Sequence, residues 1–254
     1  MLKIERREKI KSYLLVNKFA NIKELAESMD VSTATIRRTL KELEDDGTVE
    51  MSHGGVALKK TGILYEQPYS VRRLSNLDEK QRIAQEAVKH IDFEACAYLD
   101  SSATVFQMTK YLKELSSVIV VTNDIAVANA LSDIETIDVS VIGGSLRKHY
   151  FTLTGFFSET IMKDLFFDIA FMGFDAISMK NGCMITNIEE VQIKRMAIKA
   201  AHKAVVMCDH SKFTKEAFIN VCGLEDIDLI ITGKELDKQI YAQIVDAGVD
   251  IILV

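Results

Sequence analysis

Two sets of side chains in this 254-residue sequence have the types and spacing to recognise anionic groups. The first is contiguous: Ser32-Thr33-Ala34-Thr35-Ile36-Arg37-Arg38, with Lys41 beyond it. A helix advances about 100° per residue, which puts Ala34, Arg37, Arg38 and Lys41 on one face and Ile36, Leu40 and Leu43 on the other. Cations on such a face can reach phosphates or base edges while the aliphatic side chains pack inward. Ser32 suits an N-cap, and the backbone N–H groups beside it, at the positive end of the helix dipole, favour contact with a phosphate. The second set is dispersed: Asp100-Ser101-Ser102-Ala103-Thr104, Thr122-Asn123-Asp124, Gly143-Gly144 with Arg147, Gly173 with Asp175, and Asp209 with Lys212. Each follows an apolar run and offers hydroxyls, backbone N–H groups, glycine backbone or a cation. Each also has an ordinary reading, because Ser, Thr and Asp at strand ends cap helices and glycines turn the chain. Five such loops at one sheet edge argue for a cleft that binds a small anion more strongly than any one of them does.

The elements needed to position both sets can be read from the same sequence. Ile22, Leu25, Ala26 and Met29 form an i, i+3, i+4, i+7 stripe, and Asp30-Val31-Ser32 is short enough to turn one helix onto the next. Ile10, Tyr13 and Leu14 supply a third helix, and Gly47 ends the Arg37 helix. Thr48 to Met51 and Val56 to Leu58 read as two short strands, with His53-Gly54-Gly55 turning between them. Residues 1–58 therefore read as a winged helix, with the helix-turn-helix over about 20–40, and His53 stands in the wing. The linker is placed at 59–76, where Lys59-Lys60-Thr61-Gly62 follows the wing and the single proline, Pro68, interrupts the pattern.

From residue 77 to 254 helix-like and strand-like segments alternate, the pattern of a mostly parallel sheet covered by helices. Strands are expected at 95–100, 118–123, 139–143, 168–173, 204–209, 229–233 and 251–254. Helices are expected at 105–115, 125–131, 158–165, 189–202 and 235–247. Ligands in such sheets collect outside the carboxyl ends of the strands, which is where the second set falls.

Composition narrows the function classes. The net charge is −6, yet residues 1–58 hold ten Lys or Arg and ten Asp or Glu, so all of the negative balance lies beyond them. That larger part is not a second nucleic-acid surface. Cys96, Cys183, Cys208 and Cys222 form no C-x-x-C pair, and His90, His149, His202 and His210 have no ligand spacing, so neither a metal nor a disulfide is expected. The sequence lacks G-x-G-x-x-G, G-x-x-x-x-G-K-[ST] and H-E-x-x-H, and no cofactor is called for. No run reaches the roughly 20 apolar residues of a membrane span, so a cytoplasmic protein is expected.

Val31-Ser32-x-x-Thr35-Ile36-Arg37-Arg38-x-Leu40, followed by His53-Gly54-Gly55, resembles the signature of the DeoR family of bacterial transcriptional regulators. The resemblance continues through Asp100-Ser101, Thr122-Asn123, Gly143-Gly144 and Asp209-x-Ser211-Lys212-Phe213. It implies a small N-terminal winged helix-turn-helix joined to a larger, mostly parallel-sheet α/β sensor domain similar to ribose-5-phosphate isomerase. It also implies operator contacts from Ser32, Thr33, Thr35, Arg37 and Arg38. By the same resemblance Asp100 would bind sugar hydroxyls, Ser101, Ser102 and Thr104 a phosphate, and Lys212 a phosphate or hydroxyl. Three departures stand out: Thr39 where the family has Asp, Met51 where it has Arg beside the wing, and Ser102-Ala103 where it has Gly followed by Ser or Thr. Glu190 and Lys194 lie four residues apart, where the resemblance implies similar charges near the site; an ordinary surface i, i+4 pair is the preferred reading.

The expected protein is a sugar-responsive repressor of a carbohydrate-metabolism operon, a homodimer or homotetramer released from operator DNA by a phosphorylated sugar. Two other readings stand beside it: an isomerase-like enzyme, with Lys180-Asn181-Gly182-Cys183 at the position of a catalytic loop, and a DNA-binding regulator whose sensor has lost its ligand.

Overall fold

A computed structural model of the chain describes residues 2–17, 19–52, 55–58, 63, 64, 66, 67 and 69–254, with backbone alone at 15, 16, 52 and 70. The expected wing turn at His53 and Gly54, the stretch Lys59 to Gly62, and Pro68 lie outside the described residues. The fold separates into two compact units, Met1–Gly62 and Ile63–Val254.

The first unit runs α1 (Lys3–Asn17), β1 (Phe19–Ala20), α2 (Ile22–Met29), α3 (Thr33–Asp45), β2 (Val49–Ser52) and β3 (Gly55–Leu58). A capping box opens α2: Asn21 Oδ1 accepts the Glu24 N–H, and the Glu24 carboxylate accepts the Asn21 N–H. Asp30 stops the helix in the left-handed region at φ 51°, a conformation a short polar side chain tolerates. Two residues later Ser32 restarts helix by accepting the Thr35 N–H at 3.2 Å. Ile36, Leu40 and Leu43 are fully buried against Ile10, Leu14, Leu25 and Val56, each worth about 1.5–3 kcal/mol relative to exposure. The three strands form an antiparallel sheet in the order β1-β3-β2. Its two-residue β1 is too short to leave a periodic signal in the sequence.

Thr39 is not an exposed departure on α3 but a buried one. Its hydroxyl accepts from Arg6 Nε at 2.8 Å and donates to the Thr35 carbonyl at 3.0 Å, and Arg6 itself is only 8% exposed. A neutral acceptor therefore stands where a carboxylate would make a charge-assisted bond.

The second unit begins with α4 (Tyr69–Leu74) and α5 (Leu77–Val88). It continues through β4 (Cys96–Leu99), β5 (Val118–Thr122), α6 (Ile125–Leu131), β6 (Ile137–Val141), the hairpin β7 (Ser145–Leu146) and β8 (Leu153–Thr154), and α7 (Phe156–Met162). Then follow β9 (Phe167–Met172), β10 (Ala176–Ser178), β11 (Gly182–Ile185), α8 (Val191–Ala200), β12 (Ala201–Met207), β13 (Ile219–Cys222), β14 (Leu229–Thr232), α9 (Lys238–Asp246) and β15 (Asp250–Leu253). Seven strands form an all-parallel sheet in the order β15-β14-β12-β9-β4-β5-β6. Alternate residues feed opposite faces: Ala97, Leu99, Ile169 and Phe171 meet α5 and α6, while Tyr98, Ala170 and Met172 meet α7 and α8. The strand order reverses direction between β4 and β9, so the topological switch point lies where the segments after Leu99 and Met172 emerge. No helix among the described residues is long and apolar enough to cross a membrane.

Several expected elements differ in kind or position. Residues 105–115 form two short 3-10 turns, Val105–Lys110 and Leu112–Glu114, so the loop at Ser102 does not open an α-helix and offers no helix-dipole site. The strand expected at 139–143 starts two residues earlier, and the helix expected at 158–165 is α7. The helix expected at 189–202 is a 3-10 turn followed by α8, after which the chain passes directly into β12. The antiparallel sheet β10-β11-β13 was not expected, because its strands are short and interrupted by polar residues.

Replacing Thr39 by Val keeps the shape of the site but leaves Arg6 Nε buried without its acceptor. Urea unfolding of the first unit should then show a loss of about 1–3 kcal/mol.

Candidate functional site

The carboxyl ends of β4 and β9 are joined by one buried ion pair. Lys194 on α8 donates to Asp100 Oδ2 and, at 2.9 Å, to the Gly173 carbonyl, while the Gly173 N–H donates to Asp100 at 2.9 Å. Asp100 is 1% and Lys194 2% exposed. Burial alone would push the Lys194 pKa down, but Asp100 and Glu190 outweigh it and raise it, so the ammonium stays charged. The surface-pair reading of Glu190 and Lys194 is therefore wrong. Both are buried, and Lys194 pairs with Asp100 while Glu190 accepts from Arg147 at 2.6 Å. Burial raises the Glu190 pKa against the pull of Lys194 and Arg147.

Above this pair lies a cleft lined by Ser101, Ser102 and Thr104 after β4, and by Gly173, Phe174 and Asp175 after β9. Arg72, Lys80, Ile185, Glu190, Lys194 and Lys212 complete its walls. Four of these are cations. Arg72 reaches Asp175 at 3.2 Å and Glu66 at 3.3 Å, and its Nε is buried with no hydrogen-bond partner among the described residues. Lys212 has no carboxylate within 4 Å among the described residues, although with Arg72 it keeps Asp175 ionised against burial, lowering its pKa. Lys80 donates to the Arg72 carbonyl at 2.6 Å and to the Ser75 carbonyl, and stands 3.7 Å from Asp209. Burial is the largest influence on Lys80, and with Arg72 and Lys212 nearby it brings the pKa down to about 8 despite Asp209.

The loop at Ser102 carries its own compensation. A Cβ built on Gly173 would lie 2.2 Å from Ser102 Oγ, so the serine fits only because residue 173 has no side chain. The Ser102 hydroxyl accepts the Thr104 N–H at 3.2 Å, which rigidifies the loop in place of the flexibility a glycine would give.

Of the residues singled out in the sequence, Ser101, Ser102, Ala103, Thr104, Gly173, Asp175, Glu190, Lys194 and Lys212 line the cleft and Asp100 forms its floor. The rest are placed elsewhere. Thr122 Oγ1 donates to the Leu99 carbonyl at 2.7 Å, and Asn123 bridges Tyr98 and the Leu153 carbonyl, both deep in the unit. Gly144 serves packing, since Ser158 Oγ lies where its side chain would be, and the same hydroxyl donates to the Gly143 carbonyl at 2.6 Å. Arg147 spends its guanidinium on Glu66 and Glu190, and Asp209 caps the turn at His210 and accepts from Asn76 at 2.9 Å. Arg72, Lys80, Glu190 and Lys194 are cleft residues that the strand-end rule does not reach.

Glu79, Asp209 and His210 bring potential metal-ligand atoms within 4.8 Å of one another, which the histidine spacing does not reveal. These groups are satisfied internally: Glu79 accepts from the His210 N–H and pairs with its Nδ1, both at 2.7 Å, and Lys80 supplies the cation beside Asp209.

In the first unit the face of α3 opposite its core is open. Ser32, Thr33, Ala34, Arg37, Arg38 and Lys41 are exposed, and Thr35 is partly so with its hydroxyl 2.9 Å from Ser32 Oγ. Neither arginine makes an ion pair or hydrogen bond among the described residues. Acidic neighbours are held back: Lys3, closest in effect, and Arg7 lower the Glu42 pKa, and Thr48 and Arg7 do the same at Asp46. Glu42 and Asp46 are thus engaged by Lys3, Arg7 and Thr48, while Arg37 and Arg38 make no hydrogen bond or ion pair within 4 Å among the described residues, Arg38 acting on Glu42 only at longer range.

Residues 6–61 match the family model of the DeoR-like helix-turn-helix domain, and residues 75–234 that of the DeoR C terminal sensor domain. The chain is 32% identical to the HTH-type transcriptional regulator GlpR of Haloferax volcanii, covering 99% of this chain and 98% of that protein. It is also 32% identical to the HTH-type transcriptional regulator GolR of Listeria innocua over the same shares. With a putative aga operon transcriptional repressor of Escherichia coli O157:H7 the identity is 30%, over 98% of this chain and 93% of that one. Among solved structures, ribose 5-phosphate isomerase A of Methanocaldococcus jannaschii is 20% identical over 55% of each chain, with a TM-score of 0.41.

Lys194→Met removes the ammonium but keeps an unbranched side chain of similar length, leaving the Asp100 carboxylate buried beside Gly173. The second unit should lose about 3–5 kcal/mol of stability, read as an earlier midpoint in equilibrium unfolding at neutral pH.

Proposed function

The chain belongs to the DeoR family of transcriptional regulators, and from that premise we propose that it represses a carbohydrate-metabolism operon and leaves its operator when a phosphorylated sugar fills the cleft. The observation that carries this reading is the cleft at the switch point, where Arg72, Lys80, Lys194 and Lys212 face the hydroxyls of Ser101, Ser102 and Thr104. Such a set suits a ligand with a phosphate at one end and hydroxyls at the other, and with only about 30 Å³ open as it stands the cleft must widen to admit one. Ammonium and guanidinium groups take the anion, and Ser and Thr side chains exchange hydrogen bonds with the sugar. In this proposal Asp100 acts from the floor by fixing Lys194, rather than as a free acceptor for sugar hydroxyls.

The proposed division of labour gives residues 1–58 the operator, 77–254 the effector, and 59–76 the connection between them. Arg37 and Arg38 would reach base edges or phosphates, with Ser32, Thr33, Thr35 and Lys41 positioning α3 on the backbone. The unit is net neutral, so little long-range attraction supports it, and two copies presented by an oligomer at half-site spacing would supply the remaining affinity. Catalysis is not part of this proposal. None of the residues lining the cleft comes from Lys180-Asn181-Gly182-Cys183; Lys180, Asn181 and Gly182 instead border a separate hollow with Phe218, Asn220 and Leu224.

Operator fragments can be obtained by selecting genomic DNA on the purified protein. With such a fragment, Arg37→Ala or Arg38→Ala should each cost about 1–3 kcal/mol in a gel-shift titration if the side chain reads a base. Unchanged binding in both would remove α3 as the reading element. A thermal-shift screen of triose, pentose and hexose phosphates should find ligands that raise the melting temperature. An effector that does so without weakening operator binding would refute release.

Proton linkage gives a further check. A phosphate monoester is already a dianion above its second pKa of about 6, so between pH 7.5 and 9.5 the titrating partner is the protein. Lys80 is cationic below about pH 8 and loses its proton above it in the empty cleft. Sugar-phosphate affinity should therefore fall as pH rises through that value, with proton uptake on binding seen by calorimetry in two buffers. Lys80→Met should flatten the profile.

A further inference from the structure

Building on the effector reading of the cleft, we infer that the segment from Glu66 to Asn76 is the switch element of this regulator. An anion that enters the cleft takes over the cations that now fasten this segment. It starts four residues after Gly62, the last residue of the first unit, and contains α4.

Two of the four cleft cations hold the segment as well as line the cleft. Arg72, on α4, is tied to Asp175 and to Glu66. Glu66 also accepts two bonds from Arg147, whose third contact is Glu190 in the cleft wall. A chain of alternating charges thus runs from the segment into the cleft and back. Lys80 acts at the other end of α4, where its ammonium donates to the Arg72 and Ser75 carbonyls, the acceptors a helix leaves unsatisfied at its C-terminus. Asn76, in the left-handed region at φ 50°, is anchored by its side-chain amide to Asp209.

In this arrangement cleft occupancy and segment attachment draw on the same donors. A phosphate held by Arg72 competes with Glu66 and Asp175 for one guanidinium, whose buried Nε already lacks an acceptor. A phosphate held by Lys80 takes the ammonium from the last carbonyls of α4. The Arg72–Glu66 contact lies within the segment, but Arg72–Asp175 and the bonds from Lys80 join it to the rest of the unit, so ligand bonds that replace those two transfer binding energy at the cleft to its release. Glu66 becomes the pivotal acid, because neutralising it frees Arg72 and Arg147 together.

Hydrogen exchange on the full-length protein tests this directly, with inorganic phosphate as the minimal anion and fructose 6-phosphate as a sugar-phosphate probe. A probe that raises the melting temperature should speed amide exchange within residues 66–76 while slowing it around Ser101 to Thr104. A rise in melting temperature with exchange at 66–76 unchanged or slowed overturns the switch but leaves the effector reading in place. If neither these probes nor the wider phosphate screen shifts the melting curve, the effector reading falls and the switch with it. Glu66→Gln adds a second arm: exchange at 66–76 should rise without ligand, the probe should bind several-fold more tightly, and ligand should add little further exchange. A purely structural role for Glu66 gives the opposite result, weaker binding and an undiminished response to ligand. Should E66Q fail to fold, the wild-type exchange experiment alone decides.

Discussion

The contact between Lys194 and Asp100 is the constraint on which the second unit is arranged. Placing a full ammonium and a full carboxylate in a nearly water-free position is costly unless both are paired and hydrogen-bonded, and here the backbone of Gly173 supplies the remaining bonds on both sides. The pair therefore fixes three chain segments at once: the loop after β4, the loop after β9 and the middle of α8. Those segments diverge at the switch point of a parallel sheet, where neighbouring crossovers leave a gap that no side chain from the sheet can fill. The cleft is the consequence of that gap, and the ion pair keeps its floor rigid.

Charge in the walls above this floor is less evenly settled. Asp175, Glu190 and Glu66 are shared among Arg72, Lys194, Lys212 and Arg147, and burial raises the Glu190 pKa while Asp175 is held low by its cationic neighbours. In the proposed binding, an anion enters a network in which Arg72, Lys80 and Lys194 already have partners, so its affinity reflects the difference between new and surrendered contacts rather than their sum. The DNA-facing unit follows the same economy of charge in simpler form: Glu42 and Asp46 are engaged by Lys3, Arg7 and Thr48, and the exposed guanidinium groups of α3 make no direct ion pair with them.

How much of this was legible in the sequence depended on how local the determining physics is. The helix-turn-helix could be read because its caps, its stripe of Ile36, Leu40 and Leu43 and its left-handed stop are all set within a few residues. The parallel strands were equally visible, since buried strands are short apolar runs. The strand-end rule gathered Ser101, Ser102, Thr104, Asp175 and Lys212, which line the cleft, together with Thr122, Asn123 and Gly144, whose polarity or small size serves capping and packing close by, and Gly143, whose carbonyl accepts from Ser158. Arg72 and Lys80 escaped, and Glu190 and Lys194 were placed on the surface in preference to the site, because charged residues on helices ordinarily face water. A signal was present for two of them. Lys80 precedes Ile83, Ala84 and Ala87 at helical spacing, and Lys194 lies between Val191 and Ala197 in the same way. A lysine inside an apolar stripe must be buried and therefore paired, although the sequence does not say with what. Glu66 carries no comparable mark, since its partners lie 81 and 6 residues away in regions of different character.

The packing of Ser102 against Gly173 constrains how this chain can change over generations. With serine at 102, any side chain at 173 meets an occupied volume at the point where the floor of the cleft is anchored. With glycine at 102, that volume is empty and an alanine at 173 meets no such obstacle. The two positions can therefore be altered in one order and not in the other, so a lineage that acquires Ser102 commits itself to Gly173 until the serine is lost. The loop after β4 and the loop that braces Lys194 are therefore coupled in the substitutions they tolerate as well as in geometry.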